Sequence, residues 1–154
     1  MSFVLDASVA LLWLAPGTHA AGVAYAGATL KRLKESQAWV PSLWPLEVGN
    51  VIAKLEAKKI VTEADSQRFI VLLGRLNIVT DPATAEHALE GTLNLARRHK
   101  LSVYDAAYLE LALRTNLPLA TLDADLAKAA VRAGLICLPD ISIISDTPAP
   151  RSTA

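Results

Sequence analysis

Four acidic residues stand where a chain of this kind could do metal-assisted chemistry: Asp6, Glu47, Asp105 and Asp123. Asp6 closes the apolar run Phe3-Val4-Leu5, and Asp123 follows the apolar stretch around Leu119 to Leu122. Glu47 and Asp105 fall in the first turns of two expected helices. In an open parallel sheet the carboxyl ends of strands and the helix N-termini converge on one edge, so the four carboxylates are expected to face one point. Like charges gathered there repel unless protons or cations offset them. Mg2+ and Mn2+ prefer oxygen ligands. An ion so held polarises a phosphoryl oxygen and lowers the pKa of a bound water, which is the chemistry of phosphodiester hydrolysis.

Each acid also has a plainer reading. Asp6 and Asp123 are well placed to cap helices. Asp105 follows Ser102 at capping-box spacing, and Glu47 in a first turn favours the positive end of the helix dipole. Caps are far commoner than metal sites, so position alone leaves both readings open.

The elements that must position these residues can be read from apolar patterning and breakers. Phe3-Val4-Leu5 reads as a strand, and the run from Val9 to Ala15 as a helix stopped by Pro16-Gly17. A helix is expected over Ala20 to Ser36 and a strand at Ala38-Trp39-Val40. Ser42 is the expected cap of the next helix, with Pro45 tolerated in its first turn. There Trp44, Val48, Val51, Ile52 and Leu55 mark a buried face, while Glu47, Asn50 and Lys54 share another line. Thr62 and Asp65 form a capping box for a helix to about Leu76. Asn77 to Thr80 follows as a strand, and Asp81-Pro82 opens a helix to about Lys100. Ser102 starts a helix to about Thr115, Leu117 to Leu122 contains a strand, Asp123 caps a helix from Ala124 to Ala133, and Leu135 to Leu138 adds a last strand. Strands alternating with helices give an α/β fold: a central parallel sheet of about four to five short strands with helices on both faces. One domain spanning 1–138 is expected, followed by an irregular Pro-rich tail over 139–154.

Composition narrows the classes further. Fifteen basic and fifteen acidic side chains cancel, so no global positive field advertises nucleic-acid binding. Any such site must come from local clusters. Arg97-Arg98-His99-Lys100 and Lys31-Arg32-Lys34 are the densest, and both also read as solvated helix ends. Lys54 is a sharper candidate for a phosphate contact because it shares the Glu47 line, although it could equally neutralise that acid. An apolar content of 53% suggests a large core or a surface covered by another chain. The single Cys137 excludes an internal disulfide and points to a reducing compartment, with the cytoplasm the expected location. The Val9 to Ala15 run lacks the basic leader of a signal peptide, and no stretch is long and apolar enough to span a bilayer. The three histidines are scattered, and Gly17, Gly22 and Gly27 do not form a dinucleotide fingerprint.

The text around the acids carries a resemblance. Val4-Leu5-Asp6-Ala7-Ser8, Glu47-Val48-Gly49-Asn50, Tyr104-Asp105-Ala106-Ala107-Tyr108 and Thr121-Leu122-Asp123 occur in this order from Phe3 to Leu138. Together they resemble the PIN-domain ribonucleases, and more narrowly the VapC-like toxins of type II toxin-antitoxin modules. That resemblance implies a PIN-like fold and endonucleolytic cutting of RNA that leaves a 5′-phosphate. It implies Mg2+, or Mn2+, held by Asp6, Glu47, Asp105 and Asp123. Ser8, Asn50 and Thr121 match polar neighbours that orient acids or water, and Lys54, Arg97 and Arg98 are candidate phosphate contacts. It further implies a homodimer, higher toxin-antitoxin assemblies, and a cognate antitoxin whose peptide blocks the site. Trp13, Trp39 and Trp44 are candidates for such a groove or dimer face, and equally for the core.

Three other functions draw on the same residues. A non-catalytic PIN-like binding module would keep the acids for structure alone. A PIN nuclease of RNA maturation would share every residue named above without any toxin role. A phosphotransfer or phosphatase domain would use Asp6 as nucleophile, but a second aspartate two residues on is absent, Ser8 standing there instead.

Overall fold

Phe3, Val4 and Leu5 are wholly shielded from solvent and form β1 (Phe3–Leu5), the strand around which everything else is arranged. The computed structural model describes residues 1–138, so the expected Pro-rich tail lies outside the described residues. Strand β2 (Ala38–Val40) pairs with β1 in parallel, with Phe3 opposite Ala38. On its other side β1 pairs in parallel with β4 (Leu119–Ala120), with Leu5 opposite Ala120. Strand β3 (Ile78–Thr80) joins the free side of β2, giving the order β3-β2-β1-β4. A strand buried on both faces reads as a continuous apolar run, which is why β1 shows no polar alternation.

The last expected strand is reduced to a single bridge between Leu119 and Cys137. Leu119 N donates to Ile136 O at 3.0 Å and Leu138 N to Leu119 O at 2.8 Å, so the segment follows β4 for only one pair. The sheet therefore has four strands and a fringe.

Helices flank the sheet. The short α1 (Ala7–Ala10) passes into a 3-10 turn over Leu11–Trp13. The helix expected from Ala20 opens instead with a 3-10 turn and becomes α-helical only in α2 (Val23–Arg32). Helix α3 (Trp44–Ala57) buries Trp44, Val48, Ile52 and Leu55, the face its spacing predicts. Ser42 does not cap it: Leu43 occupies the cap position without a side-chain bond, and the Ser42 backbone N donates to Thr84 Oγ1 at 3.0 Å. Helix α4 (Glu63–Arg75) carries the complete Thr62–Asp65 capping box. The single helix expected after Asp81-Pro82 is divided: α5 (Thr84–His87), a π-helical turn over Ala88–Thr92, and α6 (Leu93–His99). Helices α7 (Val103–Thr115) and α8 (Ala124–Arg132) follow as expected, capped by Ser102 and Asp123.

The core lies between the sheet and α7, where Ala106 to Ala112 are buried without a break. Trp44 belongs to this core and Trp13 ties the 3-10 turn to α2, its Nε1 donating to Ala26 O at 2.8 Å. Trp39 is only partly buried in β2. Among the described residues no helix is long and apolar enough to cross a membrane.

Candidate active site

Asp6 leaves the carboxyl end of the central strand, at the point where β1's neighbours diverge to β2 on one side and β4 on the other. Such a switch point is where open parallel sheets form their crevices. Asp6 occupies the N-cap position of α1, yet its side chain makes no cap bond. Its Oδ2 accepts instead from Ser8 Oγ at 2.7 Å and from Thr121 Oγ1 at 2.7 Å. The two hydroxyls are themselves fixed, since Ser8 Oγ accepts from Leu122 N at 3.1 Å and Thr121 Oγ1 from Asp123 N at 3.0 Å. The ends of β1 and β4 are thus stitched through one buried carboxylate that is 5% exposed.

The other acids arrive from helix starts. Glu47 sits in the first turn of α3, and its Oε1 accepts from the Tyr108 hydroxyl at 2.5 Å. Asp105 lies in the first turn of α7, where its amide donates to Ser102 Oγ at 3.0 Å. Asp123 is a true cap, its Oδ1 accepting from Leu126 N at 2.9 Å. Asp6, Glu47, Asp105 and Asp123 line one cleft of about 280 Å3 together with Ser8, Asn50, Ala7, Leu11 and Val51. Asp123 therefore satisfies both sequence readings, as cap and as cleft wall. Asp6 satisfies only the second.

Burial governs the electrostatics here, opposed by hydrogen-bond donors and reinforced by neighbouring acids. Asp6 is held above the ordinary carboxylate range by burial, which outweighs its hydroxyl donors, and Asp105 adds to the rise. Glu47 is raised by burial and by Asp6 and Asp105, against the opposing bond from Tyr108. Burial and the nearby Asp123 raise Asp105. The Tyr108 hydroxyl is pushed far above the usual phenol value by its burial and the acids around it, so it is a donor at every ordinary pH. The cleft concentrates negative charge, with no cationic side chain among the described residues that line it.

Every donor group offered by the four acids is a carboxylate oxygen, and among the described residues no histidine or cysteine lines the cleft. That set fits a hard divalent cation of the Mg2+ or Mn2+ type. Among the described residues, no three His, Cys, Asp or Glu side chains close into a finished ligand cluster. The carboxylates stand on the walls of the cleft.

The other expected site residues separate into two groups. Ser8, Asn50 and Thr121 are at the site, Asn50 on its exposed rim. Lys54 lies exposed farther along α3, outside the cleft lining. Arg97 and Arg98 are exposed in the last turn of α6, with Arg97 Nη1 donating to Asn94 Oδ1 at 3.2 Å. Sequence reasoning missed the tie between Tyr108 and Glu47. The only signal was spacing: Tyr108 follows Asp105 by three residues on α7, so both side chains lie on one helix face.

An α/β sheet with an acid cleft at its central switch point defines the class, and comparison with known proteins gives the family. The PIN domain model matches residues 3–132, and the chain belongs to the PIN-domain family, whose members are generally nucleases. No curated protein sequence matches it. Among solved structures, the fold is similar to PAE2754 from Pyrobaculum aerophilum, at 24% identity and a TM-score of 0.59 over 84% of this chain and 79% of that one. It is also similar to a chain of VapBC2 from Rickettsia felis, solved bound to a DNA fragment from their promoter, at 16% identity and a TM-score of 0.62 over 90% of this chain and 98% of that one.

Proposed function

We propose that the chain is a divalent-metal-dependent endoribonuclease and the toxin of a type II toxin-antitoxin module. The observation that carries the catalytic part is the convergence of Asp6, Glu47, Asp105 and Asp123 on one cleft, three of them held above their ordinary pKa by burial and mutual repulsion. Carboxylates arranged this way repel one another, and a cation among them offsets that repulsion. Asp6, Glu47, Asp105 and Asp123 would hold Mg2+ or Mn2+. When bound, such an ion polarises the phosphoryl oxygen and makes water acidic enough to serve as nucleophile at neutral pH.

The chain's own groups do the positioning. Ser8 and Thr121 fix the Asp6 carboxylate from two directions, so it cannot turn away from the cleft. Asp123 is fixed by its own helix cap. Asn50, on the rim one turn after Glu47, is placed to donate to a phosphate oxygen or to water, and Lys54 beyond it offers a charge to the RNA backbone. Arg97 and Arg98 would extend that contact along a bound strand.

The toxin reading draws on the fold similarity to VapBC2 and on the four sequence motifs. Under it, the protein works in the cytoplasm as a homodimer, and its antitoxin covers the acid cleft. Exposed apolar side chains near two of the acids, Leu46 at 79% and Tyr104 at 66%, support a protein-covered rim.

The test is cleavage of a mixed structured RNA pool by purified protein with Mg2+ or Mn2+, beside a chelator control and an identically purified Asp105→Asn variant. Metal-dependent cutting by the wild type alone is expected. Equal inactivity of two folded, antitoxin-free proteins on such a pool counts against the nuclease, and equal activity reveals a contaminant. Co-purification with a small DNA-binding protein encoded immediately upstream is expected of the toxin role, and its absence from the locus removes that role while leaving the nuclease untouched.

A further inference from the structure

We infer that Tyr108 is a positioning residue that sets the cation affinity of the acid cleft through Glu47; this rests on the metal-dependent reading above. Glu47 comes from α3 and, among the described residues, is the only one of the four acids whose carboxylate is held by a side chain of a different helix, α7. The hydroxyl of Tyr108 donates to Oε1 alone, at 2.5 Å. A glutamate has three rotatable bonds, and in a cleft crowded with like charge it turns outward to water unless something restrains it.

Tyr108 has the properties of such a restraint. It is 0% exposed and among the largest fully buried side chains of the protein, so its ring is locked by the core. Its ring carries the hydroxyl to Glu47 Oε1. An ionised carboxylate has no proton to give, so the phenol serves it only as a donor. The bond therefore steadies Glu47 as an anion without adding positive charge to the cleft, leaving the attraction for a cation intact. A lysine or arginine in the same place would steady the acid and repel the ion. On α7 the residue three positions earlier is Asp105, so one rigid helix supplies a ligand and also the group that orients another ligand.

The experiment is calorimetric titration of the full chain with Mn2+ alone, for wild type, Tyr108→Phe, Glu47→Gln and the double variant, with thermal melts of each. Phenylalanine keeps the buried ring and removes only the donor. Tyr108→Phe is expected to weaken Mn2+ binding about tenfold, the low end for losing a residue that orients a ligand. In the Glu47→Gln background the same change is expected to cost nothing further. A Phe variant that binds Mn2+ within twofold of wild type overturns the inference, as do losses that simply add in the double variant. A Phe variant that melts far below wild type overturns it too, because the role is then structural. If the wild type itself binds no Mn2+, the metal-dependent reading fails and this role falls with it, a result distinguishable from the first three.

Discussion

The Thr121 hydroxyl donates to Asp6 Oδ2 at 2.7 Å across 115 positions of sequence. Thr121 Oγ1 in turn accepts from the Asp123 amide at 3.0 Å, so one side chain settles where two acids stand. Valine has the shape of threonine without the hydroxyl. Thr121→Val is expected to leave the fold intact, to destabilise it by about 1–3 kcal/mol through the orphaned Asp123 amide, and to lower Mn2+ affinity about tenfold. Urea unfolding and metal titration measure the two effects separately. A stability loss with unchanged metal affinity shows that Thr121 serves the β1–β4 junction alone.

The metal-free chain is expected to lose stability as pH rises above the ordinary carboxylate range. Asp6, Glu47 and Asp105 have folded-state pKa values raised above their reference values of 3.8, 4.5 and 3.8. A group raised in the folded state binds its proton more tightly there, so its contribution is complete below the unfolded value and disappears as pH passes through the folded one. Asp81 has the opposite sign: desolvation raises it, but its bonds to Arg114, Ala83 and Thr84 prevail and the net shift is downward. Its contribution is lost only as pH falls below the usual aspartate value. Urea midpoints measured with chelator should therefore decline from about pH 4 upward. Asp105→Asn should make that decline shallower, and excess Mn2+ should oppose it by binding the folded chain. A midpoint that climbs steadily over the same range in chelator contradicts the repulsion described for the cleft.

Away from the cleft, Arg114 is expected to be the most costly single charge to remove. Its Nη2 meets Asp81 Oδ2 at 2.5 Å and its Nε meets Glu110 Oε1 at 2.7 Å, tying the end of α7 to the residue after β3. Asp81 and Glu110 are both buried, at 3% and 7% exposure, and His87 Nδ1 stands 3.7 Å from Glu110. Arg114→Met leaves two buried acids unpaired, and a loss of about 3 kcal/mol is expected. Adding Asp81→Asn and Glu110→Gln to that variant should recover part of the loss. Chemical denaturation decides this, and a loss under about 1 kcal/mol would place the cluster with ordinary surface ion pairs.

Gly22 is a tight contact beneath the site. A Cβ there would lie 2.7 Å from Leu122 Cδ1 and 2.9 Å from Leu12 Cδ1. Leu122 is the residue between Thr121 and Asp123, and its amide donates to Ser8. Gly22→Ala is expected to cost about 1 kcal/mol as the two leucines shift and to reduce RNA cleavage by more than its melting temperature would suggest. Alanine at Gly49, where a Cβ meets nothing within 4 Å, is the matched control. Equal behaviour of the two variants rules out the contact as a constraint on the Thr121–Asp123 turn.

What could be read from the chain beforehand follows from how local each signal is. Asp6 after an apolar triplet, the Thr62–Asp65 box and the Ser102 and Asp123 caps are statements about a few neighbouring residues, and all appear in the fold. Ser42 carried a local capping signal too, but the helix begins one residue later, with Leu43 in the cap position. The π-helical turn at Ala88–Thr92 left no mark in the apolar spacing, and a Cβ at Gly91 within it would meet Glu110 of α7, a neighbour only the tertiary fold supplies. For the site, the identities of the acids were legible, whereas the partners that hold them came through pairings such as Tyr108 with Glu47 and Thr121 with Asp6.

The central place of β1 in the order β3-β2-β1-β4 also sets a sequence of events in time. The chain's third residue begins the strand, but one of that strand's two partners, β4, begins only at Leu119. In synthesis β2 is made well before β4, so the β4 side of Asp6 is the later of the two to be completed. Thr121 and Asp123 are made after Asp6, Glu47 and Asp105, and the non-local pairing that brings them in belongs to the slow class of folding steps. A chain interrupted before α7 holds Asp6 and Glu47 but neither of the later acids, so the cleft is finished only when the domain is.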